Sequence, residues 1–122
     1  MKAPIIVNES TIPADPGCVY VFSSLAVAER YFEAWYADES YFACDADGLP
    51  LKILASDQSN GVAIVEVSGE PPRPDLAIKF LRAYLKSIAN TKKVGRLYIS
   101  DEWVTLASAQ DIVVQSLRHP TE

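Results

Sequence analysis

SSLAVAERYFEAWYADESYFACDADGLPLKIL, residues 23–54, decides the fold class. Ser23 or Ser24 can cap a helix, because a serine hydroxyl accepts from the free amides of a first turn. The helix then runs over about Leu25–Trp35. It sets Leu25, Ala28, Phe32 and Trp35 on one apolar stripe and Glu29, Arg30 and Glu33 on the wet face. Asp47-Gly48 predicts a two-residue type I′ hairpin turn, in which both positions take positive φ. That register opposes Ala46 to Leu49, Cys44 to Leu51 and Phe42 to Ile53, six apolar residues on one face. Tyr41, Asp45 and Lys52 fall on the other.

Upstream, Ala3–Val7 and Cys18–Phe22 read as strands separated by a turn-rich loop, Asn8 to Gly17. Downstream, Gly61–Ser68 reads as a further strand, and the proline-dense Gly69–Pro74 connector is too short to separate domains. Pro74 and Asp75 suit the first turn of a second helix with the stripe Ala77, Leu81, Tyr84, Leu85 and Ile88. Leu97–Ile99 suggests an edge strand. Ser108 with Asp111 resembles a capping box opening a last helix, which carries Ile112, Val113 and Leu117 and ends by Pro120. The expected fold is a single α+β domain over 1–122: a mainly antiparallel sheet of about five strands with two or three helices packed on one face.

The 122 residues are 49% apolar and 22% charged, which suits one globular core rather than disorder. No apolar run is long enough for a membrane span or a signal peptide, so a cytoplasmic protein is expected. The net charge of −5 is unevenly spread: residues 1–70 carry eleven acids against three bases, and residues 71–122 eight bases against five acids. An acidic surface repels nucleic acid and anionic membranes and steers cationic partners inward.

No catalytic set emerges. The chain has no GxSxG, GxxxxGK[ST] or GxGxxG motif, and its one histidine, His119, lies three residues from the end. Cys18 and Cys44 lack metal-ligand spacing and read as partly buried thiols, so neither metal nor cofactor is expected. Asp45 opens a stretch that imitates a calcium loop, but its glycine is fourth rather than sixth and Ser56 stands where the bidentate glutamate belongs. The acid pairs Asp38–Glu39 and Asp45–Asp47 read as solvated turn residues. Lys79, Arg82, Lys86, Lys92, Lys93 and Arg96 read as a solvated helix face balancing the acidic half.

The residues best suited to function are Trp35, Tyr36, Asp38, Glu39 and Tyr41, continued along the chain to Asp45 and Asp47. Aromatic anchors beside acids suit a protein interface, where rings carry affinity and carboxylates steer a cationic partner. The competing reading makes Trp35 and Tyr41 simply the edge of the core.

APIIVN at residues 3–8, with SSLAVAERYFE and YFACDADGLPLKI at 23–33 and 41–53, resembles small bacterial immunity proteins encoded beside secreted polymorphic toxins. The likeness is a pattern of fold elements, and no binding residue carries over by motif. It implies a non-enzymatic, cytoplasmic protein that binds a cognate toxin, such as a nuclease or another basic effector, and blocks its active site. The alternative from another class is a small-ligand-binding or regulatory domain.

Overall fold

Five strands alternate their side chains between two cores. The computed structural model describes residues 1–10, 12, 17–92 and 105–118. Its strands are β1 (Ile5–Glu9), β2 (Cys18–Phe22), β3 (Phe42–Cys44), β4 (Pro50–Ala55) and β5 (Val62–Glu66). They form one antiparallel sheet in the order β2-β1-β3-β4-β5. The helices are α1 (Leu25–Tyr31), a 3-10 helix (Ala34–Glu39), α2 (Pro74–Lys92) and α3 (Leu106–Arg118). The expected α+β class and five-stranded antiparallel sheet are what the chain forms.

The period-two alternation of the strands sorts the cores. On one face Ile5, Val7, Phe22, Ala43, Leu51 and Ile53 pack against Ala28, Phe32 and Tyr36 from α1 and the 3-10 helix. On the other, Ile6, Val21 and Cys44 meet Leu76, Phe80, Leu81 and Leu85 of α2 and Ala109 and Val113 of α3. Two helices thus share one face as expected, while α1 and the 3-10 helix cover the opposite one.

The hairpin departs from expectation by one residue. Ala43 pairs with Leu51 and Cys44 with Pro50. The turn is therefore the three residues Ala46–Asp47–Gly48, closed by the Asp45 amide donating to the Leu49 carbonyl at 3.1 Å. A type I′ turn would need positive φ at Asp47, and only Gly48 has it, at 86°. Shifting the register by one residue sends alternate side chains to opposite faces. Phe42 and Cys44 consequently join the α2 side, while Leu51 and Ile53 face α1.

The cause is Asp45, which is 3% exposed and not a solvated turn acid. Its Oδ1 accepts from the amides of Asp47 and Leu49, each at 2.9 Å, and its Oδ2 from the amide of Lys2 at 2.9 Å. A carboxylate can replace its lost hydration with backbone donors, and three of them make burial tolerable.

Caps and edges are also set by side chains. Ser24 Oγ accepts from the Val27 amide at 3.2 Å and opens α1. The box that opens α3 lies three residues earlier than Ser108 with Asp111: the Thr105 amide donates to Ser108 Oγ at 2.8 Å, and the Ser108 amide to Thr105 Oγ1 at 3.2 Å. Glu29 is not on the wet face. Its Oε2 takes the amide of Ile64 on the outer strand β5 at 2.8 Å, closing part of an edge that could otherwise pair with another chain. The Leu97–Ile99 segment, His119, Pro120, Lys93, Arg96 and the side chains of Ile88, Lys92 and Leu117 lie outside the described residues.

Candidate functional site

The helix expected to reach Trp35 stops at Tyr31. Phe32 leaves helical geometry at φ −94°, ψ 143°, and its ring turns into the core. The 3-10 helix then begins at Ala34 and ends in Ser40, whose φ of 57° is left-handed. This break removes Trp35 from the apolar stripe and leaves it 59% exposed.

Tyr36, one residue on, goes the other way and is 4% exposed. Its ring stacks on Phe32 with centroids 3.9 Å apart and planes 15° apart, and its hydroxyl donates to Glu9 Oε2 at 3.0 Å. Burial, then the hydrogen bond to Glu9 and its charge, hold the phenol proton far above its ordinary range. Trp35 meets Tyr36 edge-on at 5.8 Å and donates its indole Nε1–H to Glu33 Oε2 at 2.9 Å. Tyr41 flanks Tyr36 at 5.3 Å and donates to Glu39 Oε1 at 3.2 Å.

The ring system extends to residues that sequence reasoning missed. Tyr31 is 59% exposed and packs at 5.6 Å on Tyr20 and 5.3 Å on Phe22. Tyr20 and Phe22 come from β2 on the far side of the sheet order. Their alternation with Val19 and Val21 was visible, but not which helix would cover them. Glu9 and Glu33 carried no signal, since each is defined by a ring that reaches it in space.

Of the seven residues expected to act together, Trp35, Tyr36, Asp38, Glu39 and Tyr41 lie in one region, with Tyr36 as its buried floor. Asp45 and Asp47 do not join them. They sit past the opposite end of β3, where Asp45 is internal and Asp47 pairs with Lys2 at 3.9 Å. The thiols also differ from expectation, with Cys18 exposed and Cys44 buried.

Asp38 and Glu39 are exposed, as is Glu33. Among the described residues the ion pairs are Met1–Glu66, Lys2–Asp47 and Arg73–Asp75, so none involves Glu33, Asp38 or Glu39. Among the exposed bases, Lys79 and Lys86 belong to α2, across the sheet, whereas Arg30 lies in the last turn of α1 next to Tyr31 and forms no ion pair with Glu33, Asp38 or Glu39. Among the described residues no three His, Cys, Asp or Glu side chains are grouped to hold a metal ion, and no helix is long and apolar enough to cross a membrane.

Burial also writes a pH dependence into the fold. Desolvation, followed by the nearby charges of Cys18 and Glu9, pushes the Tyr20 hydroxyl up to about 12 from an ordinary 10.0. Desolvation and then Asp45 push the Cys44 thiol up to about 12 from 9.0. Both groups hold their proton more tightly folded than unfolded. Their stabilisation is therefore complete below about pH 9 and lost as pH rises through about 12. The expected result is a melting temperature that falls steadily over that window by calorimetry; a flat profile contradicts it.

Comparison of the chain with protein-family models, characterised proteins and solved structures finds no match, so the site stands on the chain's own residues.

Proposed function

We propose that this chain is a binding protein, not an enzyme, and that it lays the aromatic, acid-flanked surface around Trp35 over a cationic protein partner. In the form implied by the family resemblance, the partner is a cognate bacterial toxin acting on an anionic substrate, such as a nuclease. The chain works in the bacterial cytoplasm by covering that toxin's active site.

One observation carries the reading. Trp35 and Tyr31 are large, exposed rings anchored on a buried aromatic floor, beside Glu33, Asp38 and Glu39, which make no ion pair among the described residues. Rings held by their neighbours lose little entropy when a partner covers them. Unpaired carboxylates beside them accelerate encounter with a basic surface and discriminate against acidic ones.

The test is co-expression with the product of an adjacent toxin-like reading frame. The chain should restore growth and form a complex with the purified toxin. Asp38→Lys combined with Glu39→Lys should slow association about tenfold or more at low salt and weaken its salt dependence, with the melting temperature unchanged. Unaltered association kinetics would exclude this surface, and growth arrest despite full expression of the chain would exclude the toxin.

A further inference from the structure

The Trp35–Glu33 pair narrows the chemistry of the partner, taking as its basis the reading that this surface binds a cationic protein. The indole Nε1–H is committed to Glu33 Oε2 at 2.9 Å, which holds ring and carboxylate edge to edge. That bond occupies one carboxylate oxygen and leaves Oε1 without a hydrogen bond among the described residues. The indole itself is 59% exposed and rests edge-on against Tyr36, so it is supported from below and open outward. Tyr31, equally exposed, stands on the same aromatic cluster through Phe32.

We infer that the partner delivers an arginine side chain to this spot, with its guanidinium flat on the indole of Trp35 and an N–H donated to Glu33 Oε1. The preference for arginine over lysine follows from the geometry. A guanidinium is planar and weakly hydrated, so it stacks on an aromatic face while its in-plane N–H groups still reach a carboxylate at the ring edge. An ammonium is a compact, strongly hydrated point charge. It gains either the ring or the carboxylate and gives up hydration for both. Asp38 and Glu39, on the same 3-10 helix as Trp35, add further negative charge to this surface. The surface therefore reads an arginine-bearing segment rather than positive charge in general.

Hexa-arginine and hexa-lysine, which carry equal charge, are the probes. Binding is followed by the Trp35 indole N–H signal in NMR, assigned with Trp35→Leu and separated from that of Trp103. At physiological salt hexa-arginine should shift the signal and bind about tenfold more tightly than hexa-lysine. Glu33→Gln is followed by the same indole signal; Trp35→Leu lacks that signal and is followed by titration calorimetry alongside the unsubstituted chain. Each should reduce hexa-arginine to the hexa-lysine level while leaving the melting temperature unchanged; both positions are exposed. Equal affinity for the two peptides overturns the arginine assignment but leaves a cationic partner standing. Binding of hexa-arginine that ignores both substitutions places it elsewhere and overturns the assignment. Failure of both peptides overturns it as well, and the growth assay then decides the broader reading by itself. An indole signal that follows protein concentration without peptide also overturns it, because a second copy would be the occupant.

Discussion

Asp45→Ala should cost the fold about 3–5 kcal/mol, measured as the shift in urea unfolding free energy. The side chain is almost wholly buried and accepts from the backbone amides of Lys2, Asp47 and Leu49 at 2.9 Å each. Hydrogen bonds to a charged acceptor contribute about 1.5–3 kcal/mol each, and their loss here leaves three backbone donors in a part-buried site without their acceptor. The total is not a simple sum, because the turn can open and let water reach the Asp47 amide. Domains of this kind are stable by about 5–15 kcal/mol, so the variant should be marginal.

Two companions make the cause testable. Asp47→Ala removes an exposed carboxylate whose contact with Lys2 is 3.9 Å, and should change stability by less than about 0.5 kcal/mol. Asp45→Asn keeps an acceptor for the turn amides but places an NH2 group against the Lys2 amide, so its cost should be intermediate. If Asp45→Ala and Asp47→Ala were equally mild, the buried clamp would not exist in solution. Among folded molecules, Asp45→Ala should leave association with a cationic partner unaltered, since this turn lies past the end of β3 that is remote from Trp35.

Gly48→Ala should be the second most damaging change, at about 2–4 kcal/mol. Gly48 has φ 86°, and an added Cβ would lie 2.3 Å from the backbone carbonyl carbon and oxygen of Arg73 and 2.6 Å from the nitrogen of Pro74. The Arg73 amide donates to the Gly48 carbonyl at 2.7 Å, so the hairpin tip and the start of α2 are held backbone to backbone. Neither chain can yield as a flexible side chain would. Relief requires lifting the turn off α2, which also loosens Leu76 and Ala77 at the head of that helix's core stripe.

Gly69 supplies the comparison within the same molecule. Its φ is 82°, yet nothing lies within 4 Å of an added Cβ. Gly69→Ala should therefore show the left-handed backbone penalty alone, about 1–2 kcal/mol. The excess at Gly48, read as a difference in denaturation midpoints, measures the contact with Arg73. Equal midpoints for the two alanine variants would mean that the turn does not touch α2.

These two positions also mark where local reasoning stopped. Asp47-Gly48 carries a strong signal for a turn, and a turn is present. The choice between a two-residue and a three-residue loop was made by the Asp45 carboxylate and the Lys2 amide, forty-three residues apart in the chain. Similarly, LAVAERYFEAW has helical periodicity throughout, but the helix ends at Tyr31, where Phe32 turns toward Tyr36 and the sheet. That ending is what exposes Trp35.

From its sequence alone this chain determined its element types: the strand alternation, the Ser24 cap, the α2 stripe of Ala77, Leu81 and Leu85, and the placing of aromatics and acids near residues 35–41. Those features depend on neighbours within a turn or two, which the order of residues specifies directly. The tertiary structure decided the hairpin register, the sharing of helices between both sheet faces, the capping of Ile64 by Glu29 and the seating of Tyr36 on Glu9. Each of these depends on which distant group satisfies a buried polar atom or covers a ring. Local pattern cannot rank such choices, because the partner is defined only once the sheet has formed.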